Sequence, residues 1–151
     1  MKSGTDNGGV YQYHYTHATN LLFGLRAAIE DVVSEGLESV VERHANVKSV
    51  LEQALQDELR LQLLVPQAEH RLPGIVAVLI PEDIDGVKVI SYLYEKHDIL
   101  ISGSLIPASS TVPRFWRIGY LGVNANLVVV GRLVTALKEA LADQRKLKSH
   151  L

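Results

Sequence analysis

The sequence predicts a two-layer α/β domain in which a small, mainly antiparallel sheet carries helices on one face and a long helix comes first. Three patterns carry this reading. Apolar residues recur at helical spacing over most of the first 58 positions and again near the C-terminus. Short apolar runs bounded by Pro and Gly lie between these helices. From Arg60 onward the order of elements is β, β, α, β, β, α, which suits an antiparallel sheet packed on one side.

In chain order, Lys2 to Gly9 is polar and glycine-rich, without the apolar stretch of a secretory signal. Leu21, Leu22, Leu25, Ile29, Val32 and Val33 then place a helix from about Thr19 to Ser34, and Phe23, Ala27 and Ala28 widen its apolar stripe enough to call for partners on more than one side. Gly36 stops it. A second helix runs to about Glu58, with Leu37, Val40, Val41, Val47, Leu51 and Leu55 on one face and its charged side left to solvent. Arg60 to Val65 reads as a short strand, Pro66 to Pro73 as a loop, and Ile75 to Ile80 as a strand covered on both faces and closed by Pro81.

Asp83 or Asp85 can cap the next helix, whose expected inner stripe is Val87, Ile90, Leu93, Tyr94 and His97. Ile99 to Ser102 is a strand, and Gly103 to Pro113 a loop of a composition that often covers a ligand. Phe115 to Leu121 forms a further strand. Asn124 or Asn126 starts the last helix, with Leu127, Val130, Val134, Leu137 and Leu141 inward.

Size and composition narrow the function. The 151 residues are 47% apolar and 21% charged, so one domain with a real core, or one small domain with a sizeable appendage, is expected. A formal charge of −2 with no basic stripe argues against nucleic acid, and the longest apolar run is far too short to span a membrane. With no cysteine, disulfides, thiol nucleophiles and thiolate metal sites all drop out.

One strand carries the chemistry. Alternation puts Trp116, Ile118 and Tyr120 on one face and Phe115, Arg117 and Leu121 on the other, while Gly119 leaves the surface beside Arg117 open. A planar fork of N–H donors beside bare backbone suits bidentate capture of a carboxylate. Strand arginines are also commonly solvated or paired with an acid, so the pattern alone leaves both readings open.

Four segments bear on the choice: Tyr13-His14-Tyr15-Thr16, Glu35-Gly36-Leu37-Glu38, His70-Arg71-Leu72-Pro73, and Trp116 through Ala125. In this order and spacing they resemble the C-terminal part of alanine–glyoxylate (serine–pyruvate) aminotransferases, pyridoxal-phosphate enzymes of class V, with the hydroxykynurenine transaminases as close relatives. The resemblance covers about Tyr13 to Leu141. It implies the C-terminal domain of the fold-type I aminotransferase fold. It divides the chain into a leader with a phosphate-contact segment (1–17), a bridging helix left over from a large domain (18–35), the small domain (36–146) and a tail (147–151).

By the same resemblance Arg117 grips the substrate's α-carboxylate, and Tyr13 and Thr16 reach a neighbouring subunit's cofactor phosphate in a dimer. Hydroxyls near a helix start are sensible phosphate ligands. The sequence departs from the family pattern at Tyr15, where histidine is usual, at His17, where proline is common, and in Gly103-Ser104-Leu105-Ile106-Pro107 with its extra residues before Arg114. The family's Schiff-base lysine belongs to the large domain, and Lys2, Lys48, Lys88, Lys96, Lys138, Lys146 and Lys148 lie in other contexts. No catalytic residue is therefore assigned here, and pyridoxal 5'-phosphate is expected only together with a large-domain partner or a full-length subunit. A small amino acid or 2-oxo acid is the implied substrate.

Two further readings stay open: a non-catalytic module that docks on a relative and regulates it, and a small domain that binds a minor anion through Arg117. His14 and His17 lack the third ligand of a metal site, so no metal is expected. His44, His70 and His97 read as isolated, and Ser109, Ser110 and Thr111 have no evident triad partners in sequence. Ser149-His150-Leu151 fits a permissive peroxisomal address, with the cytosol as the alternative.

Overall fold

The computed structural model describes residues 15–104 and 113–149, apart from the side chains of 147–149. They fall into two units, one ending at Leu37 and the other beginning at Glu38.

The first unit contains helix α1, Thr19–Glu35, closed by Gly36 at φ 88°, a left-handed angle that favours glycine. The Gly36 N–H donates to the Val32 carbonyl at 3.0 Å. Every residue of α1 is exposed, including Leu21, Leu22, Phe23, Leu25, Ile29 and Val33. The Arg26–Glu30 pair at 2.8 Å is solvent-exposed and adds little.

In the second unit, helix α2 (Leu37–Gln53) widens into a π-helical turn at Ala54–Glu58. Arg60 then turns left-handed at φ 56°. The expected strand from Arg60 to Val65 reduces to one antiparallel bridge, Leu63 to Val78. The Leu64 N–H donates to the Ala77 carbonyl at 2.9 Å and the Leu79 N–H to the Gln62 carbonyl at 2.8 Å. Hemmed in by the turn at Arg60 and by Pro66, the segment is too short for a longer ladder.

The sheet has three strands, β1 (Ile75–Leu79), β2 (Ser102–Gly103) and β3 (Phe115–Gly119), in the order β1-β3-β2 and antiparallel throughout. Helix α3 (Gly86–His97) and helix α4 (Leu127–Ser149) complete the order. Val76, Val78, Trp116 and Ile118 join Leu93, Leu133 and Leu137 in one buried cluster, so one sheet face is covered by helices, as the sequence pattern requires. Double coverage of β1 is not found: Ile75 is exposed and Ala77 and Leu79 are only half-buried, because the helices pack on the other face. The pairing of β2 also begins later than expected, at Ser102.

Helix α3 is rotated from the expected stripe. Gly86, Val89 and Leu93 face the core, whereas Val87 is 73% exposed and Tyr94 is exposed as well. The cause is Trp116, fully buried, whose indole N–H donates to the Gly86 carbonyl at 3.1 Å. A Cβ on Gly86 would sit 2.5 Å from Ile80 Cδ1 and 3.2 Å from Trp116 Nε1, so a larger residue there would have to displace the end of the Ile80 side chain. Asp85 caps the helix, its Oδ1 accepting from Val87 N at 3.0 Å and Lys88 N at 3.2 Å. Asp85→Ala is expected to cost about 1 kcal/mol of stability in urea unfolding with an unchanged m-value.

At α4 the Asn126 side chain accepts from Val128 N at 2.8 Å. Val130, Val134, Leu137 and Leu141 are buried as expected, while Leu127 is exposed because it opens the first turn at the helix's outer end. Among the described residues no helix is long and apolar enough to cross a membrane.

Candidate functional site

Arg117 occupies the middle of β3, opposite Ala77 of β1 and Ser102 of β2. Its neighbours Trp116 and Ile118 point into the core, so strand alternation turns Arg117 and Phe115 to the face the helices leave uncovered. The half-buried guanidinium donates through Nε to the Gly103 carbonyl at 3.1 Å. That bond ties it to the sheet, and no other hydrogen bond of the guanidinium is made among the described residues. Among the described residues no carboxylate lies within ion-pair distance of Arg117. A Cβ on Gly119 would meet nothing within 4 Å, so the surface there is open.

Arg117 lines a half-open cleft of about 180 Å³ together with Phe115, Ile75, Ala77, Val65 and Leu72. Its far wall is the loop from Val65 to Pro73, which Arg71 pins in place. Arg71 donates from Nε to the Val65 carbonyl at 2.8 Å, from Nη1 to Glu52 Oε2 at 2.7 Å, and from Nη2 to the Pro66 carbonyl. The Arg71 and Glu52 side chains are 13% and 12% exposed. Lys48 adds a bond from Nζ to the Arg71 carbonyl at 3.0 Å. The supposedly solvated side of α2 is thus partly engaged: Lys48 and Glu52 hold the loop.

Behind this wall the Tyr120 hydroxyl and Glu52 Oε1 are buried, with no hydrogen-bond partner among the described residues. Burial pushes the Tyr120 phenol above its ordinary range; the Gly74 backbone opposes this and the Glu52 carboxylate adds to it. The Tyr120 N–H donates to the Gly74 carbonyl at 2.8 Å, joining the loop's end to the strand that follows Arg117.

His44, expected to stand alone, does not. Its Nδ1 lies 2.7 Å from the Val40 carbonyl, and its Nε2 accepts the Gly122 N–H at 3.2 Å. Those partners define the neutral tautomer with the proton on Nδ1. The adjacent Arg43 donates from Nη1 to the Gly122 carbonyl at 2.8 Å and the Ala125 carbonyl at 3.0 Å. Gly122 itself is left-handed at φ 60°. Helix α2 therefore holds the turn that follows the arginine strand. His97, also read as isolated, lies 3.1 Å from Glu139 of α4. These contacts join residues with no fixed sequence spacing, so no motif pointed to them.

Thr16 is exposed and lies just ahead of α1, whose first turn has neither an acidic residue nor a side-chain cap. Tyr13 and His14 lie outside the described residues, as do Ser109, Ser110 and Thr111 of the loop and His150 and Leu151 at the end. Thr16 belongs to the first unit and Arg117 to the second. No group of three metal-ligating side chains occurs among the described residues.

No family model matches the chain. Curated relatives do. The alanine–glyoxylate aminotransferase of Drosophila melanogaster is 35% identical over 133 residues, covering 88% of this chain and 33% of the relative. That of Oryctolagus cuniculus is 38% identical over 135 residues, covering 89% and 33%. Among solved structures, the alanine–glyoxylate aminotransferase of Nostoc sp. superposes with a TM-score of 0.76 at 33% identity, covering 89% of this chain and 34% of that one. The chain spans about a third of the length of the relatives it matches.

Proposed function

Because the chain belongs to the alanine–glyoxylate type of class V aminotransferases and spans about a third of one, we propose that it supplies the substrate-carboxylate anchor of such an enzyme. Arg117 carries this reading. Its Nε is fixed on the Gly103 carbonyl, and no acid among the described residues neutralises it. A substrate carboxylate is the natural partner for the outer edge of that guanidinium. Held there, an amino acid or 2-oxo acid keeps its α-carbon at a constant height above the sheet, so binding energy is spent on orientation.

The residues ahead of α1 fit the phosphate end of pyridoxal 5'-phosphate. Thr16 offers a hydroxyl just ahead of a helix start whose first turn carries no acidic residue, and Tyr13 would add a second hydroxyl. When bound, this cofactor supplies an electron sink for carbanion chemistry. Among the described residues no lysine lines the Arg117 cleft, and the base that moves the α-proton is assigned to a large-domain partner, in an enzyme that works as a dimer.

A second reading makes the chain a non-catalytic module that docks on a full-length relative. The exposed apolar residues of α1 favour a partner in either case. Mixing the purified chain with a family large domain and pyridoxal phosphate separates the two. We expect the mixture alone to develop the absorbance of lysine-bound cofactor and to transaminate alanine with glyoxylate. Unchanged spectra and no turnover, with altered activity of an added full-length relative, would replace the catalytic reading by the second one.

A further inference from the structure

We propose that the Tyr120 hydroxyl and Glu52 Oε1 share one buried water molecule, and that the chain of contacts from Tyr120 through this water to Glu52 and Arg71 sets the position of the loop from Val65 to Pro73. The link does not depend on what Arg117 binds.

Unanswered hydrogen bonding is the first reason. Tyr120 is 3% exposed and Glu52 9%, yet neither the Tyr120 hydroxyl nor Glu52 Oε1 has a hydrogen-bond partner among the described residues. Buried polar atoms of native proteins are almost always paired, and ordered water pairs those that the chain itself leaves over.

Chemical complementarity is the second reason. Burial raises the Tyr120 phenol most, the Gly74 backbone opposes this and the Glu52 carboxylate adds to it, so the phenol keeps its proton at neutral pH. It therefore brings a hydrogen in need of an acceptor, while the carboxylate oxygen needs a donor. The pull of Glu52 on the phenol also marks the two groups as neighbours. Water answers both at once, accepting from the hydroxyl and donating to the carboxylate. A cation could not take the phenolic hydrogen, and the Glu52 charge is already met by Arg71 Nη1 at 2.7 Å.

Position is the third reason, because both residues already grip the loop. Glu52 holds Arg71, which in turn donates to the Val65 and Pro66 carbonyls. Tyr120 holds the far end, its N–H donating to the Gly74 carbonyl at 2.8 Å. Gly74 is left-handed at φ 103°, and a Cβ there would collide with the Leu121 side chain, so the loop ends close against the residues that follow β3. Water between Tyr120 and Glu52 joins these two grips, one from α2 and one from beyond β3.

A crystal structure of the whole chain that shows ordered solvent tests the water. We expect one density peak within about 3.0 Å of both the Tyr120 hydroxyl oxygen and Glu52 Oε1. No peak there, or direct contact between the two atoms, would overturn the proposal, whether or not any variant folds. Tyr120→Phe keeps the ring and removes the donor, and amide hydrogen exchange tests its hold on the loop. Exchange at the Arg71 and Tyr120 amides, which bond to the Ala68 and Gly74 carbonyls, should speed at least about tenfold more than at Leu137 of α4. Equal acceleration at Leu137 would make Tyr120 a support of the whole core and overturn its hold on the loop. Unchanged exchange at all three would overturn it as well.

Discussion

In the proposed assembly with a large-domain partner, Arg117→Ala is expected to raise the KM for the amino donor at least about a hundredfold while the absorbance of the bound cofactor stays in place. A charge-assisted, bidentate carboxylate contact is worth about 3 kcal/mol, and each 1.4 kcal/mol is a factor of ten. The cofactor should be spared, because the residues proposed to meet its phosphate are Tyr13 and Thr16, in the other unit of the chain. Arg117→Lys should recover only part of the loss. The ammonium restores charge but not the planar fork, and it cannot reproduce the Nε bond to Gly103 together with two outward donors. Steady-state kinetics and cofactor spectra on the same preparations decide the matter. Lost cofactor with a normal KM would contradict the assignment.

The second large effect is on stability. Glu52→Ala removes one member of a nearly buried ion pair and leaves Arg71 charged without its acid, so a loss of about 3–5 kcal/mol is expected in urea unfolding. The bonds from Arg71 to Val65 and Pro66 would remain but would then anchor the loop to an uncompensated charge. A double replacement, Glu52→Leu with Arg71→Met, should be more stable than Glu52→Ala alone, since it removes both charges and fills the same space. If Glu52→Ala costs less than about 1 kcal/mol, the pair does not hold the wall of the cleft.

Much of the scaffold could be read from periodicity: β3, most of α4 and the second half of α2 bury the expected residues, whereas Leu37 and Val41 of the expected α2 face are exposed and β1 is covered on one face only. The face occupied by Arg117 followed from strand alternation alone, and the structure places Trp116 and Ile118 opposite it as required. What periodicity missed was decided between elements. The roll of α3 is set by the contact between Trp116 and Gly86, thirty residues apart, so Val87 and Tyr94 were expected inside and lie outside. The strand from Arg60 shrank to a bridge because the left-handed turn at Arg60, which no apolar pattern reveals, and Pro66 limit it. The Glu52–Arg71 pair and the contact of His44 with Gly122 join residues that are distant in sequence, where no local pattern could reveal them. Tyr13 and the middle of the loop before Arg114 fall outside the described residues.

The contacts of Arg43 and His44 with the Gly122 turn also bear on how the chain is made. They close loops of 78 to 82 residues, and long closures must lose their entropy before any bond repays it. On a ribosome, α2 emerges long before its partners at Gly122 and Ala125 have been translated. During that interval Val47, Leu51 and Leu55, fully covered in the finished fold, have nothing from the C-terminal half to pack against. Nascent chains of this protein thus pass through a window of exposed apolar surface that ends only when the arginine strand and the start of α4 have left the exit tunnel.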